Sequence, residues 1–61
     1  MHSIADNIKY YRNQSELSQE KLAELLGVNR GTIVNWEKGN SAPDAWQIED
    51  LAKIFRIEVK E

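Results

Sequence analysis

The stretch QEKLAELLGVNRGTIVNWEK, from Gln19 to Lys38, constrains the fold most, because its apolar residues Leu22, Ala23, Leu26, Gly27, Val28, Ile33 and Trp36 fit two short helices meeting at a tight turn. The small Ala23 lets the second of these helices cross the first closely. Gly27 supplies backbone freedom at the turn, and Val28, Ile33 and Trp36 bury one face of the later helix. The opposite face of that helix is left free for function.

The flanking sequence supplies partners. Ser3 caps a first helix with Ile4, Ala5, Ile8 and Tyr11 on its apolar side, Asp6 in its first turn and an end near Asn13 to Ser15. Ser18 caps the second helix, Gln19 to Leu26, and Leu17 packs on Leu22 as a hydrophobic staple. Asn29 is the expected N-cap of the third helix, Arg30 to Glu37, which Gly39 closes in a left-handed conformation before a loop to Pro43. Asp44 and Gln47 form a capping-box pattern, and Ala45, Ile48, Leu51, Ala52 and Phe55 give the fourth helix one buried stripe. Ile57 and Val59 flank Glu58 in a short alternating tail, read as packing and not as sheet. The expectation is an all-α, compact bundle of four or five short helices containing a helix-turn-helix, in a single domain over residues 1–61.

Size and composition narrow the function. A chain of 61 residues is near the lower limit for a core without staples and leaves little room for a deep catalytic cavity. It has no cysteine, so disulfides and thiolate metal sites are excluded, which suits a reducing cytoplasm. The one histidine, His2, sits at the terminus and reads as a surface residue, so no metal is expected. No apolar run reaches the ~18 residues of a membrane span, and no basic stretch precedes a hydrophobic one at the start. A soluble, cytoplasmic protein is expected. With no nucleophile–base pair, phosphate-cradling glycine loop or metal cluster, neither an enzyme, a cofactor nor a small-molecule substrate is expected.

The segment SQEKLAELLGVNRGTIVNWEKGNSAPD, Ser18 to Asp44, resembles the lambda-repressor-like helix-turn-helix family, the phage repressor and Cro type. The likeness extends back through NIKYYR (Asn7 to Arg12) and forward through IEDLAKIF (Ile48 to Phe55). The resemblance implies a bundle of four or five helices that binds double-stranded operator DNA, usually as a homodimer. It implies that Gln19 holds a phosphate and that Arg30, Gly31, Val34 and Asn35 face the bases. Thr32, Lys38, Asn40 and Ser41 match positions that touch the sugar-phosphate backbone, and Arg12 with Glu37 matches a partly buried salt bridge. Glu16 and Arg56 stand where relatives commonly have glycine, so strain or a changed shape is expected at Glu16, and the chain ends at Glu61, about where relatives begin a fifth helix.

The residue chemistry fits that surface. Arg30 carries a planar fork that matches guanine O6 and N7, with a plain phosphate contact as the alternative. Asn35 suits adenine or the backbone, and Val34 suits a thymine methyl group or open solvent. Gly31 reads either as close approach to DNA or as tolerance near a helix start. Gln19 is placed to grip a phosphate together with the start of its helix, and Lys38 and Asn40 extend the clamp. Trp46, Ile54 and Ile57 share a helix face that makes a dimer patch or packs against the tail. The resulting expectation is a transcriptional repressor reading a palindromic operator as a dimer, with half-sites roughly 34 Å apart. A net charge of −2 predicts modest affinity for one domain and mildly favours the alternative, an antitoxin-like or other protein-interaction module with auxiliary DNA binding.

Overall fold

The computed structural model describes residues 3–57 and is all-α over that range. Four helices follow in order, α1 (Ile4–Gln14), α2 (Gln19–Leu26), α3 (Arg30–Lys38) and α4 (Ala45–Phe55). His2, Val59 and the end of the chain, on which the rest of the alternating tail and the start of any fifth helix fall, lie outside the described residues.

The caps start the helices largely as the sequence indicates. Ser3 Oγ accepts from the N–H of Asp6 at 3.1 Å, and Ser18 Oγ accepts from Lys21 at 2.9 Å. At α4 the capping box is complete: Asp44 Oδ1 accepts from the Gln47 N–H, and Gln47 Oε1 accepts from the Asp44 N–H. Asn29 is the exception. Its backbone is extended as an N-cap requires, but its side chain makes no capping bond.

All four helices end in the same turn. The residue after the left-handed position donates back five residues: Leu17 to Arg12 O, Val28 to Ala23 O, Asn40 to Asn35 O and Ile57 to Ala52 O, all between 2.9 and 3.1 Å. The left-handed residue is glycine at 27 and 39, but Glu16 at φ +57° and Arg56 at φ +58° occupy it at α1 and α4. An L-residue there crowds its Cβ against the carbonyl, at a cost of about 1 kcal/mol or more. The strain expected at Glu16 takes this form.

Ile8, Leu22, Ala23, Ile33, Trp36 and Leu51 form the core, one or two residues from every helix, and Leu22 and Ile33 expose no surface. Each such side chain removed from water contributes roughly 1.5–3 kcal/mol. Helix α3 packs on both α1 and α2, and α4 packs on α2. Leu17, Leu26, Val28, Ile54 and Phe55 close the edges of this core. Tyr11 stacks on Phe55 with ring centroids 5.9 Å apart, tying α1 to α4.

Ile4, on the apolar side of α1, and Ala45, expected in the buried stripe of α4, are on the surface, Ile4 being 51% exposed. Each is the first residue of its helix, so it lies on the correct side but overhangs the neighbours that bury the later turns. Among the described residues no helix is long and apolar enough to cross a membrane.

Candidate nucleic-acid interface

Burial of Ile33 and Trp36 fixes the rotation of α3 and therefore what it shows to solvent. Arg30, Gly31 and Asn35 are exposed and Val34 is half-buried; their i, i+1, i+4, i+5 spacing keeps them on one side of the helix. Gln19 flanks this stripe at the start of α3, whereas Lys38, Asn40 and Ser41, all exposed, flank it at the other end. A helix of nine residues separates the two groups by about 12 Å. Thr32 is half-buried and lies outside the stripe.

The stripe is held from behind by a chain of polar contacts. Arg12, on the last turn of α1, meets Glu37 on α3 with Nε–Oε2 at 2.6 Å and Nη2–Oε1 at 3.1 Å. The two side chains are 11% and 5% exposed. A third nitrogen, Arg12 Nη1, donates to the carbonyl of Leu17 at 2.7 Å and so braces the corner between α1 and α2. Gln19 Nε2 donates to Glu37 Oε1 at 3.2 Å, and Gln19 Oε1 accepts from Arg30 Nη2 at 3.1 Å. Arg12, Glu37, Gln19 and Arg30 thus form one connected network from α1 to the stripe on α3.

Electrostatics keep Glu37 ionised within that network. Burial pushes its carboxyl up, but hydrogen bonds from Arg12 and Gln19, with the charges of Arg12 and Lys9, outweigh burial and hold it below the ordinary value of 4.5. The charge of Arg12 is matched internally, whereas Arg30 and Lys38 are exposed cations of this face. The surface pair Lys21–Glu24, at 3.5 Å and well exposed, contributes little.

Sequence spacing alone missed the links from Gln19 to Glu37 and to Arg30. A signal was nonetheless available: Arg30 and Glu37 are seven residues apart on one helix, hence on nearly the same edge, where one side chain of a crossing helix reaches both. At Gly31, a Cβ would meet nothing within 4 Å, so the protein's own packing makes no demand for glycine there.

The three residues grouped as a dimer patch go to different places. Trp46 is 77% exposed, and Ile54 packs on the core. Ile57 lines an apolar groove of about 170 Å³ between α1 and α4 together with Ile4, Tyr11, Ile48 and Phe55.

The chain resembles known regulators over nearly its whole length. It is 39% identical over 58 residues to an HTH-type transcriptional regulator of Methanocaldococcus jannaschii, covering 95% of this chain and 88% of that one. It is 32% identical over 58 residues to the cryptic phage CTXphi transcriptional repressor RstR of Vibrio cholerae, covering 95% of this chain and 52% of the repressor. A further 32% identity over 56 residues relates it to the transcriptional activator BcrR of Enterococcus faecalis, 92% of this chain but 28% of the activator. The chain therefore spans about half of one of these relatives and about a quarter of another. The helix-turn-helix family profile matches residues 8–61, and with the four helices and the α2–α3 corner already described, the chain belongs to the lambda-repressor-like helix-turn-helix family.

Proposed function

We propose that this DNA-binding transcriptional regulator is a repressor that reads a palindromic operator as a homodimer, with α3 in the major groove. The stripe of exposed Arg30, Gly31 and Asn35 with half-buried Val34, buttressed through Gln19 by a partly buried ion pair, is the observation that carries this reading. Arg30 offers two donors to a guanine edge, Asn35 reads adenine, and Val34 meets a thymine methyl group. Gln19 and the half-buried Thr32 near the start of α3, with Lys38, Asn40 and Ser41 at and beyond its other end, hold the sugar-phosphate backbone.

Dimerisation follows from the shortage of positive charge. With two cations on the reading face and a net charge of −2, one domain makes few phosphate contacts, and a second copy doubles them. Repression needs only occupancy of a promoter, and RstR, a relative matched over 95% of this chain, is a repressor by name. The same reading places the protein in the cytoplasm, with the duplex it binds.

Selection from random duplexes, followed by sedimentation of the protein alone and with the selected site, tests the proposal. A selected site with two half-sites about 34 Å apart, bound by two copies, is the expected result. The logarithm of affinity should fall against the logarithm of salt with a slope of at least about −2. A flat salt dependence with no selected sequence would sink the proposal and point to a protein partner instead. Gly31→Ala separates the two readings of that glycine: the free protein gains up to about 1 kcal/mol of helix propensity, and operator affinity drops only if the backbone approaches DNA closely.

A further inference from the structure

We infer that Glu37, acting through the side-chain amide of Gln19, is a positioning residue that holds the Arg30 guanidinium ready for a base edge, an inference that rests on Arg30 being a base contact. Glu37 is not itself on the exposed stripe, since its carboxylate is turned onto Arg12 with 5% of the side chain exposed. Its influence passes through an asymmetric group. One end of an amide donates and the other accepts, whereas a carboxylate only accepts and a guanidinium only donates.

Those rules fix which way the amide points. Glu37 Oε1, already bound to Arg12 Nη2 at 3.1 Å, accepts from Gln19 Nε2, so the amide nitrogen is drawn inward. Gln19 Oε1 is then turned outward, where Arg30 Nη2 donates to it. Reversing the amide would set oxygen against carboxylate and NH₂ against guanidinium, losing both contacts at once. A partly buried ion pair thereby sets the polarity of the half-buried Gln19 side chain.

The arrangement leaves the reading atoms free. The contact with Gln19 takes one proton of Arg30 Nη2 and leaves another there, with both on Nη1, enough for a two-pronged contact with guanine N7 and O6. Gln19 likewise keeps its second amide proton for a phosphate. An arginine already held in place loses less rotamer freedom on binding than one that is not.

The test uses Gln19→Met, Glu37→Gln and Arg30→Ala. In the free protein, NMR relaxation of the Arg30 guanidinium should show an ordered group that both Gln19→Met and Glu37→Gln release. On DNA, the preference for the selected operator over the same operator with deazaguanine, which lacks N7, should fall about fivefold in both variants, the scale set by one immobilised side chain. For Glu37→Gln, binding to an unrelated duplex should stay unchanged, and the loss of preference should vanish in an Arg30→Ala background. Should Glu37→Gln fail to fold, Gln19→Met still decides, because it keeps the Arg12–Glu37 pair intact. An Arg30 guanidinium as mobile in the unaltered protein as in Gln19→Met would overturn the inference, as would equal losses on operator and unrelated DNA in Glu37→Gln. If Arg30 is ordered through Gln19 but Arg30→Ala leaves base preference unchanged, the positioning stands and the assignment of Arg30 to a base falls.

Discussion

Glu16 and Gly27 end consecutive helices with the same backbone turn, φ +57° at one and +77° at the other, each followed by a residue whose N–H reaches back five positions. Arg56 and Gly39 repeat the contrast at α4 and α3. Glycine is used at both ends of the pair that carries the candidate interface, and side-chain-bearing residues at the ends of the two outer helices. Packing against the rest of the molecule is not the reason, because beyond its neighbours in the chain a Cβ at Gly27 or Gly39 would touch nothing within 4 Å. The backbone angle is. The α2–α3 unit is thus closed without strain, while α1 and α4 each carry a little at their last turn.

Substitutions in the two regions should therefore separate in size and sign. The largest effect belongs to the interior: Leu22→Ala, at a site with no exposed surface, should cost about 3 kcal/mol. A domain of this size has roughly 3–9 kcal/mol in total, so the melting temperature should drop by more than about 10 °C. Glu37→Ala comes next, with about 2–3 kcal/mol lost, because it leaves the Arg12 guanidinium shielded from water without its partner. A melt unchanged by Glu37→Ala would remove the ion pair from the scaffold.

The same pair predicts an acid limit. Glu37 titrates lower in the folded chain than its ordinary 4.5, so its contribution is complete above that value and is lost as the pH falls through the folded pKa. Melts from neutral pH down to pH about 3 should show Glu37→Gln losing less stability than the unaltered protein below pH about 4.5.

Smaller effects test the helix ends directly. Gly39→Ala should cost about 1–2 kcal/mol although its Cβ meets nothing beyond its neighbours in the chain. Glu16→Gly and Arg56→Gly should each gain about 0.5–1 kcal/mol, the relief of a left-handed L-residue less the added freedom of the unfolded chain. Denaturant midpoints for the three variants settle the comparison. A Gly39→Ala variant as stable as its parent, or a Glu16→Gly variant less stable, would show that the four ends are not alike.

What the sequence made legible follows the range of the interactions. Caps and turns act over three to five residues, and Ser3, Ser18, Asp44, Gly27 and Gly39 mark their elements as read. Residue type places Asn29 at the start of α3 but does not set its rotamer, which decides the missing cap bond. Periodicity tells which side of a helix is apolar without telling how far that helix extends past its neighbours, and Ile4 and Ala45 are exposed on that account. The stripe on α3 could be listed from spacing, because Ile33 and Trp36 orient it. The Gln19 contacts, 18 and 11 residues away in sequence, depend on how α2 crosses α3, and the seven-residue spacing of Arg30 and Glu37 marks the shared edge without naming the side chain that reaches it.

The tryptophans equip the molecule with two independent optical reporters. Trp36, 3% exposed in the core, is shielded from a quencher dissolved in water until the fold opens, while Trp46, 77% exposed, meets that quencher in the native state. Unfolding and any surface association that covers the start of α4 can consequently be followed in one unlabelled sample, the first as a gain of quenching and the second as a loss.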